Sequence, residues 1–87
     1  MAAFGGFPPV VTVMITTGIT NTLTQNTTYA LPSKSVWLQS SAVIQTSLDA
    51  TNWTDVAAST TGVHIVAPFV RQTSSTTGVV VMAKIIS

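Results

Sequence analysis

Few side chains in this 87-residue sequence are able to do chemistry. The only acids are Asp49 and Asp55, the only histidine is His64, and there is no cysteine. Both acids lie in the segment TSLDATNWTDV, which also holds Trp53, one of two tryptophans. Since serine and threonine are plentiful, the chemistries to weigh are a Ser–His–Asp triad, a carboxylate pair and an oxygen-rich ion site.

None of these sites has a specific signature in the sequence. No G-x-S-x-G or other distinctive spacing surrounds His64, so a triad is supported by residue types alone. Asp49 and Asp55 lie on either side of a predicted turn, but a thin domain of this size offers little room for a substrate cleft. Asp49, Asn52 and Asp55 recur at every third position without the glycine and glutamate of an EF-hand loop.

We therefore predict that the chain is not an enzyme and that it binds no metal ion or cofactor. Aspartate and asparagine bond their own backbone in tight turns and tolerate unusual dihedral angles. On this interpretation Asp49 and Asn52 shape a turn, and Trp53 begins the strand that follows.

The composition predicts one all-β domain. Only 6% of the residues are charged, against roughly 25% in an ordinary soluble domain. The many threonines favour strands through their branched Cβ atoms, and helix formers are scarce. A chain of this length buries only about 60% of its unfolded surface. Because cysteine is absent, we expect association with other subunits to supply the missing stability.

The charges and the apolar runs exclude two classes of partner. Lys34, Arg71 and Lys84 are scattered and the net charge is +1, whereas binding to nucleic acid or an anionic membrane needs clustered cations. No apolar run approaches the roughly 18 residues of a membrane span. The start, MAAFGGFPPV, lacks the basic and apolar regions of a signal peptide, so we expect a chain made in a cytoplasm that begins at or next to Met1.

Residues 1–9 are predicted to form an extended arm ahead of a single domain at residues 10–87. Two glycines make the arm flexible, and two prolines favour an extended path. Its large apolar side chains either dock on another subunit or fold back on their own domain. The predicted docking residues are Phe4, Phe7, Pro8 and Pro9.

Turn residues divide the domain into seven or eight short strands. This spacing of about eight to twelve residues is typical of a small antiparallel β-sandwich or barrel. The predicted strands are residues 10–16, 19–24, 27–31, 35–40, 43–48, 53–57, 63–70 and 79–86. A polar turn is predicted at residues 59–62 and a loop at residues 73–78.

The strands at residues 63–70 and 79–86 are apolar on both faces. One face covers the core of the domain, so the other either meets a partner subunit or belongs to a thin closed barrel with some exposed valines. We favour the interface, and the residues predicted for self-association are Val66, Val70, Val80, Met82 and Ile86.

Three stretches resemble small β-sandwich structural proteins of tailed-bacteriophage virions. They are SLDATNW at residues 47–53, FVRQT at residues 69–73 and VVVMAK at residues 79–84. In that family a turn reads S-x-D-G-x-x-W, a strand reads F-[IV]-R-x-T and a final strand reads V-x-V-x-x-K. The signature residues here are Asp49, Asn52, Trp53 and Arg71, whereas Ala50 replaces the usual glycine. The resemblance extends from Lys34 to Lys84, a little over half of the chain.

The resemblance implies a capsid decoration (cement) protein or a related head-fibre protein. Such proteins are made in the cytoplasm of the bacterial host. They typically form homotrimers on the outer capsid surface of the virion and clamp neighbouring major capsid protein subunits. The alternative is a carbohydrate- or receptor-binding module of a tail or head fibre, since the same turn occurs in carbohydrate-binding sandwiches. A sugar platform needs a flat tryptophan in solvent, so the exposure of Trp37 and Trp53 distinguishes the two.

Overall fold

The structure is a computed structural model that describes residues 13–86. The regular elements of this part of the chain are nine β-strands, and none of its residues forms a helix long and apolar enough to cross a membrane. The predicted arm at residues 1–9 and the start of the first predicted strand lie outside the described residues. The strands are β1 (Val13–Met14), β2 (Thr20–Leu23), β3 (Tyr29–Ala30), β4 (Val36–Ser40), β5 (Ile44–Ser47), β6 (Thr54–Val56), β7 (Ser59–Ile65), β8 (Phe69–Arg71) and β9 (Val79–Ile85).

The strands form two sheets that pack against each other. A five-stranded sheet has the order β1-β3-β8-β5-β6, and a four-stranded sheet has the order β2-β9-β4-β7. All pairings are antiparallel except that of β1 with β3, which is parallel and aligns Val13 with Tyr29. The predicted all-β sandwich is confirmed, with nine described strands and one parallel pair.

The core lies between the sheets and follows from strand alternation. In β9, Val79, Val81 and Ala83 are buried while Val80 and Met82 point outward, because successive side chains of a strand lie on opposite faces. The buried apolar residues are Ile15, Leu23, Tyr29, Leu31, Val36, Leu38, Ile44, Ile65, Ala67, Val70, Val79, Val81 and Ala83.

The turn predicted at residues 59–62 is wrong, because these residues form the first half of β7. Leu38 pairs with Val63 and Ser40 pairs with Ser59, so four residue steps on β7 lie opposite two on β4. The surplus residues form a β-bulge, and Gly62 adopts a φ of 107° within it. The glycine that suggested a turn is therefore needed for an irregularity inside a strand.

The single strand predicted at residues 63–70 is also wrong. β7 ends at Ile65 in the four-stranded sheet, and β8 begins at Phe69 in the five-stranded sheet, so residues 66–68 cross between the sheets. The carbonyl of Pro68 accepts a hydrogen bond from the Leu31 amide at 2.8 Å. Because the crossing shifts the alternation by one residue, Val70 is fully buried in the core. The prediction of Val70 as an interface residue is therefore wrong, and Val70 belongs to the core.

Gln72 joins two loops from inside the domain. Its side chain is fully buried, and its Nε2 donates to the carbonyls of Leu23 at 3.0 Å and Ser75 at 2.7 Å. Its Oε1 accepts from the Ser75 amide at 2.8 Å, and its backbone carbonyl accepts from the Asn26 amide at 2.9 Å. The turn between β2 and β3 and the loop between β8 and β9 are thus fixed to each other.

Candidate interaction surface

The outer face of the four-stranded sheet carries apolar side chains that the fold leaves exposed. Trp37 is 41% exposed, Val80 43% and Met82 40%. Cross-strand pairing places Trp37 beside Lys84 and aligns Gln39 with Met82, so all five residues share one face. We call this surface, made by Trp37, Gln39, Val80, Met82 and Lys84, the outer sheet face. Exposed apolar surfaces are often sites of association, so the outer sheet face is the candidate site of this structure.

A shallow groove of about 450 Å³ lies on the outer sheet face. It is lined mainly by apolar atoms of Trp37 from β4, of Met82, Lys84 and Ile85 from β9, and of Gly18 from the turn between β1 and β2. We call it the sheet groove. Ligand pockets usually measure about 300–1,000 Å³, and the volume of the sheet groove lies in the lower part of that range. The groove is therefore of a size to hold a few apolar side chains.

Trp37 is fixed in place by the bulge in β7. Its indole N–H donates to the carbonyl of Thr61 at 3.1 Å, and Gln39 Nε2 donates to the carbonyl of Thr60 at 3.1 Å. A Cβ atom at Gly62 would overlap the indole ring. The ring therefore lies directly on the backbone of Gly62, which orients it before any partner binds.

A serine and the only histidine meet on the same sheet. Ser35 Oγ lies 2.6 Å from His64 Nε2, a contact between residues 29 positions apart that the sequence did not predict. Asp55 instead accepts a hydrogen bond from Gln45, and Asp49 accepts hydrogen bonds within its own turn. Among the described residues no acid orients His64, so the residue types of a Ser–His–Asp triad are present but not assembled.

Asp49 is engaged by the turn that contains it. Its Oδ1 accepts hydrogen bonds from the amides of Asn52 at 2.8 Å and Thr51 at 2.9 Å, and its Oδ2 accepts one from Asn52 Nδ2 at 2.8 Å. These donors, with the Asn52 amide first, hold the pKa of the Asp49 carboxyl well below its usual range. A general acid needs a raised pKa, so Asp49 is suited to shaping a turn and not to proton donation.

Ala50, which stands where the S-x-D-G-x-x-W motif has glycine, has a left-handed φ of 62°. An L-residue with a Cβ atom is disfavoured there by roughly 1–2 kcal/mol. We expect Ala50→Gly to raise the free energy of unfolding by about 1 kcal/mol in urea denaturation. Ala57→Gly is the control, since Ala57 has no positive φ, and it is expected to leave stability unchanged or lower it. A loss of stability in Ala50→Gly would contradict the strain at this position.

The other tryptophan belongs to a row of contacts on the five-stranded sheet. The Arg71 guanidinium carbon lies 4.2 Å from the Trp53 ring centroid, and Arg71 Nε donates to Gln45 Oε1 at 2.8 Å. Gln45 Nε2 in turn donates to Asp55 Oδ1 at 2.9 Å. The guanidinium lies over one face of the Trp53 ring, and Trp53 is less exposed than Trp37.

The predicted interface residues do not share one surface. Val80 and Met82 lie on the outer sheet face, and Ile86 follows β9 and is half exposed. Val66 is exposed in the crossing between β7 and β8 and lines a second groove near Asp49. The predicted docking residues of the arm, Phe4, Phe7, Pro8 and Pro9, lie outside the described residues.

Comparison with known proteins found no match for this chain: no protein-family model, no curated protein and no solved structure. The resemblance to virion proteins therefore depends on the short motifs at residues 47–53, 69–73 and 79–84. A role in a phage capsid stays a prediction.

Proposed function

We propose that this protein is a non-catalytic structural subunit that self-associates and decorates the outer capsid surface of a tailed bacteriophage. The observation that carries the proposal is the outer sheet face, where Trp37, Val80 and Met82 are each about two-fifths exposed. In a chain with only 6% charged residues, such a surface is expected to associate with protein.

The arrangement of the polar residues supports a role without catalysis. His64 contacts Ser35 but no acid among the described residues, and the pKa of Asp49 is lowered by hydrogen bonds within its turn. A catalytic set needs its members within hydrogen-bond reach of one another. A structural subunit needs only complementary surfaces.

The placement on a capsid comes from the resemblance, and the physical argument agrees with it. Burial of apolar surface contributes about 25 cal/mol per Å². Because a capsid repeats the same site many times, a modest contact is multiplied when the subunits are also joined to one another. We propose a homotrimer that bridges neighbouring major capsid protein subunits.

Self-association is tested by sedimentation velocity on the purified full-length chain over a range of concentrations. We expect an oligomer, with three chains as the expected number. The double variant Val80→Lys/Met82→Lys should become monomeric with an unchanged β-type circular dichroism spectrum. Val43→Lys/Leu48→Lys is the matched control, because it adds two lysines at exposed apolar positions away from the outer sheet face. A wild-type chain that is monomeric at every concentration would overturn self-association.

Decoration is tested separately by mass spectrometry and electron microscopy of purified phage particles that carry this chain. The chain should be present in many copies, and an antibody against it should label the outside of intact heads. An oligomer that is missing from the particles would contradict decoration while leaving the self-associating structural subunit in place.

One observation favours a second function, which is binding of a carbohydrate. Trp37 presents an exposed ring beside Gln39 and Lys84 in the sheet groove. If the chain binds carbohydrate, titration with oligosaccharides should change the tryptophan fluorescence in a saturable way. The change should come from Trp37, so the variant Trp53→Phe should still show it. Under the structural role we expect no saturation with any sugar.

A further inference from the structure

We infer that His64 makes self-association through the outer sheet face depend on pH, so that the oligomer separates when this histidine gains a proton. The inference rests on the self-association in the proposed function, and it names the regulation of that surface. His64 lies on the edge strand β7, directly opposite Trp37 of the outer sheet face, and its side chain is exposed.

The titratable side chains of the four-stranded sheet are all basic. Trp37 pairs with His64 on one side and with Lys84 on the other, so these two side chains flank the indole on strands about 10 Å apart. β2, β4, β7 and β9 contain no acid, and the nearest further charge in sequence, Lys34, comes two residues before β4. A proton on His64 therefore adds to the charge of Lys84, and no carboxylate of this sheet offsets it.

The acids of the chain belong to the other sheet. Asp55 lies in β6, where it accepts a hydrogen bond from Gln45 at 2.9 Å, and Asp49 lies in the turn between β5 and β6. These are the only two acids in the whole sequence. Because every chain of a symmetric oligomer contributes the same surfaces, contact through the outer sheet face gathers Lys84 and His64 from each chain without an acid.

The contact with Ser35 holds the imidazole at the surface in both protonation states. Ser35 Oγ lies 2.6 Å from His64 Nε2. When the neutral ring carries its proton on Nδ1, Nε2 accepts a hydrogen bond from the hydroxyl, whereas in the charged ring Nε2 donates and the hydroxyl oxygen accepts. Protonation thus places a charge beside Trp37 without any movement of the ring.

The charge on His64 acts differently in the separate chains and in the oligomer. Histidine is the side chain that ordinarily changes charge between about pH 5 and pH 8. In a separate chain water solvates the charged ring, but association removes that water and brings like charges together. The oligomer therefore binds fewer protons than the separate chains, and by linkage its association weakens as the pH falls.

Sedimentation equilibrium of the full-length chain at constant ionic strength measures this dependence. We expect the Kd of self-association to be about tenfold higher near pH 5.5 than near pH 8. Higher salt should reduce this difference, because it screens repulsion between exposed charges. Circular dichroism at each pH verifies that the β fold is unchanged.

Two replacements of His64 isolate its charge from the rest of the chain. His64→Gln is the matched variant, since glutamine is uncharged at every pH and retains groups that hydrogen-bond to Ser35. It should stay associated with the same Kd at both pH values. His64→Lys carries a permanent charge and should already associate weakly near pH 8. If His64→Gln fails to fold, His64→Asn replaces it.

The outcomes separate this inference from the proposed function. A wild-type oligomer with the same Kd at both pH values, or with tighter association at the lower pH, would overturn control by His64. A pH dependence that persists in His64→Gln would overturn it as well. In each of these cases self-association would stand, whereas a wild-type chain that is monomeric at both pH values would overturn self-association and its regulation together.

Discussion

Replacement of Gln72 by alanine is expected to unfold this domain or leave it close to unfolding. The side chain is fully buried, and its loss removes the partners of the Leu23 carbonyl and of the Ser75 amide and carbonyl. Each buried polar group without a partner costs about 1–3 kcal/mol, and the vacated volume adds to this. An 87-residue domain is stable by roughly 4–13 kcal/mol, so the change removes a large part of its stability.

Urea denaturation followed by circular dichroism measures the effect. Gln25→Ala is the matched control, because Gln25 Nε2 also donates to a loop carbonyl, that of Thr73 at 2.9 Å, but at an exposed site. We expect it to cost no more than about 0.5 kcal/mol. Gln72→Met restores volume without hydrogen bonds and should remain strongly destabilising. A similar loss in Gln72→Ala and Gln25→Ala would contradict a structural role for the buried amide.

Local patterns were sufficient to predict β4 and β9 as strands. In β4 the alternation separated Val36 and Leu38 from Trp37 and Gln39. In β9 both faces are apolar, and the choice of Val80 and Met82 as self-association residues placed them on the outer side, where the structure has them. The loop at residues 73–78 was predicted from its polar and glycine content, and no strand lies there. These features depend on neighbours within a few residues, so a single sequence is enough to reveal them.

Features that depend on distant residues were missed. Gln72 looks like a polar residue at a strand end, and its acceptor on Leu23 lies 49 positions away. In the sequence Gly62 resembles a turn residue, whereas in the structure it lies under the Trp37 ring. Val70 keeps the apolar character of a strand, but the sheet crossing before it reverses its face. In each case the deciding contact is made by another strand, which the local pattern does not contain.

The same limit applies to the candidate site. Alternation indicated the outward residues of β9, but the groove also needs Trp37 from β4 and the turn at Gly18. The sequence treated Trp37 only as a possible sugar platform. The pairing of β4 with β9, which aligns Trp37 with Lys84, is what makes it part of an apolar surface.

Gly62→Ala is expected to be the most damaging change at the outer sheet face. At a φ of 107° any L-residue is strained by about 1–3 kcal/mol, and the added Cβ would overlap the Trp37 indole. The ring must then move away, which breaks its hydrogen bond to Thr61 and costs about 1 kcal/mol more. We expect a total loss of about 3 kcal/mol in urea denaturation, with a shift of the Trp37 emission towards that of a solvated indole.

Gly18→Ala separates strain from overlap. Gly18 also has a positive φ, 77°, but a Cβ atom there meets nothing within 4 Å. It should therefore lose only the strain energy, about 1–2 kcal/mol, and keep the emission of Trp37. Because Trp37 lines the sheet groove, Gly62→Ala should also weaken self-association in sedimentation velocity, even under conditions where the variant is fully folded. If both variants lose the same free energy of unfolding and the Trp37 emission is unchanged, Gly62 is needed only for its backbone conformation. The orientation of Trp37 would then have another cause.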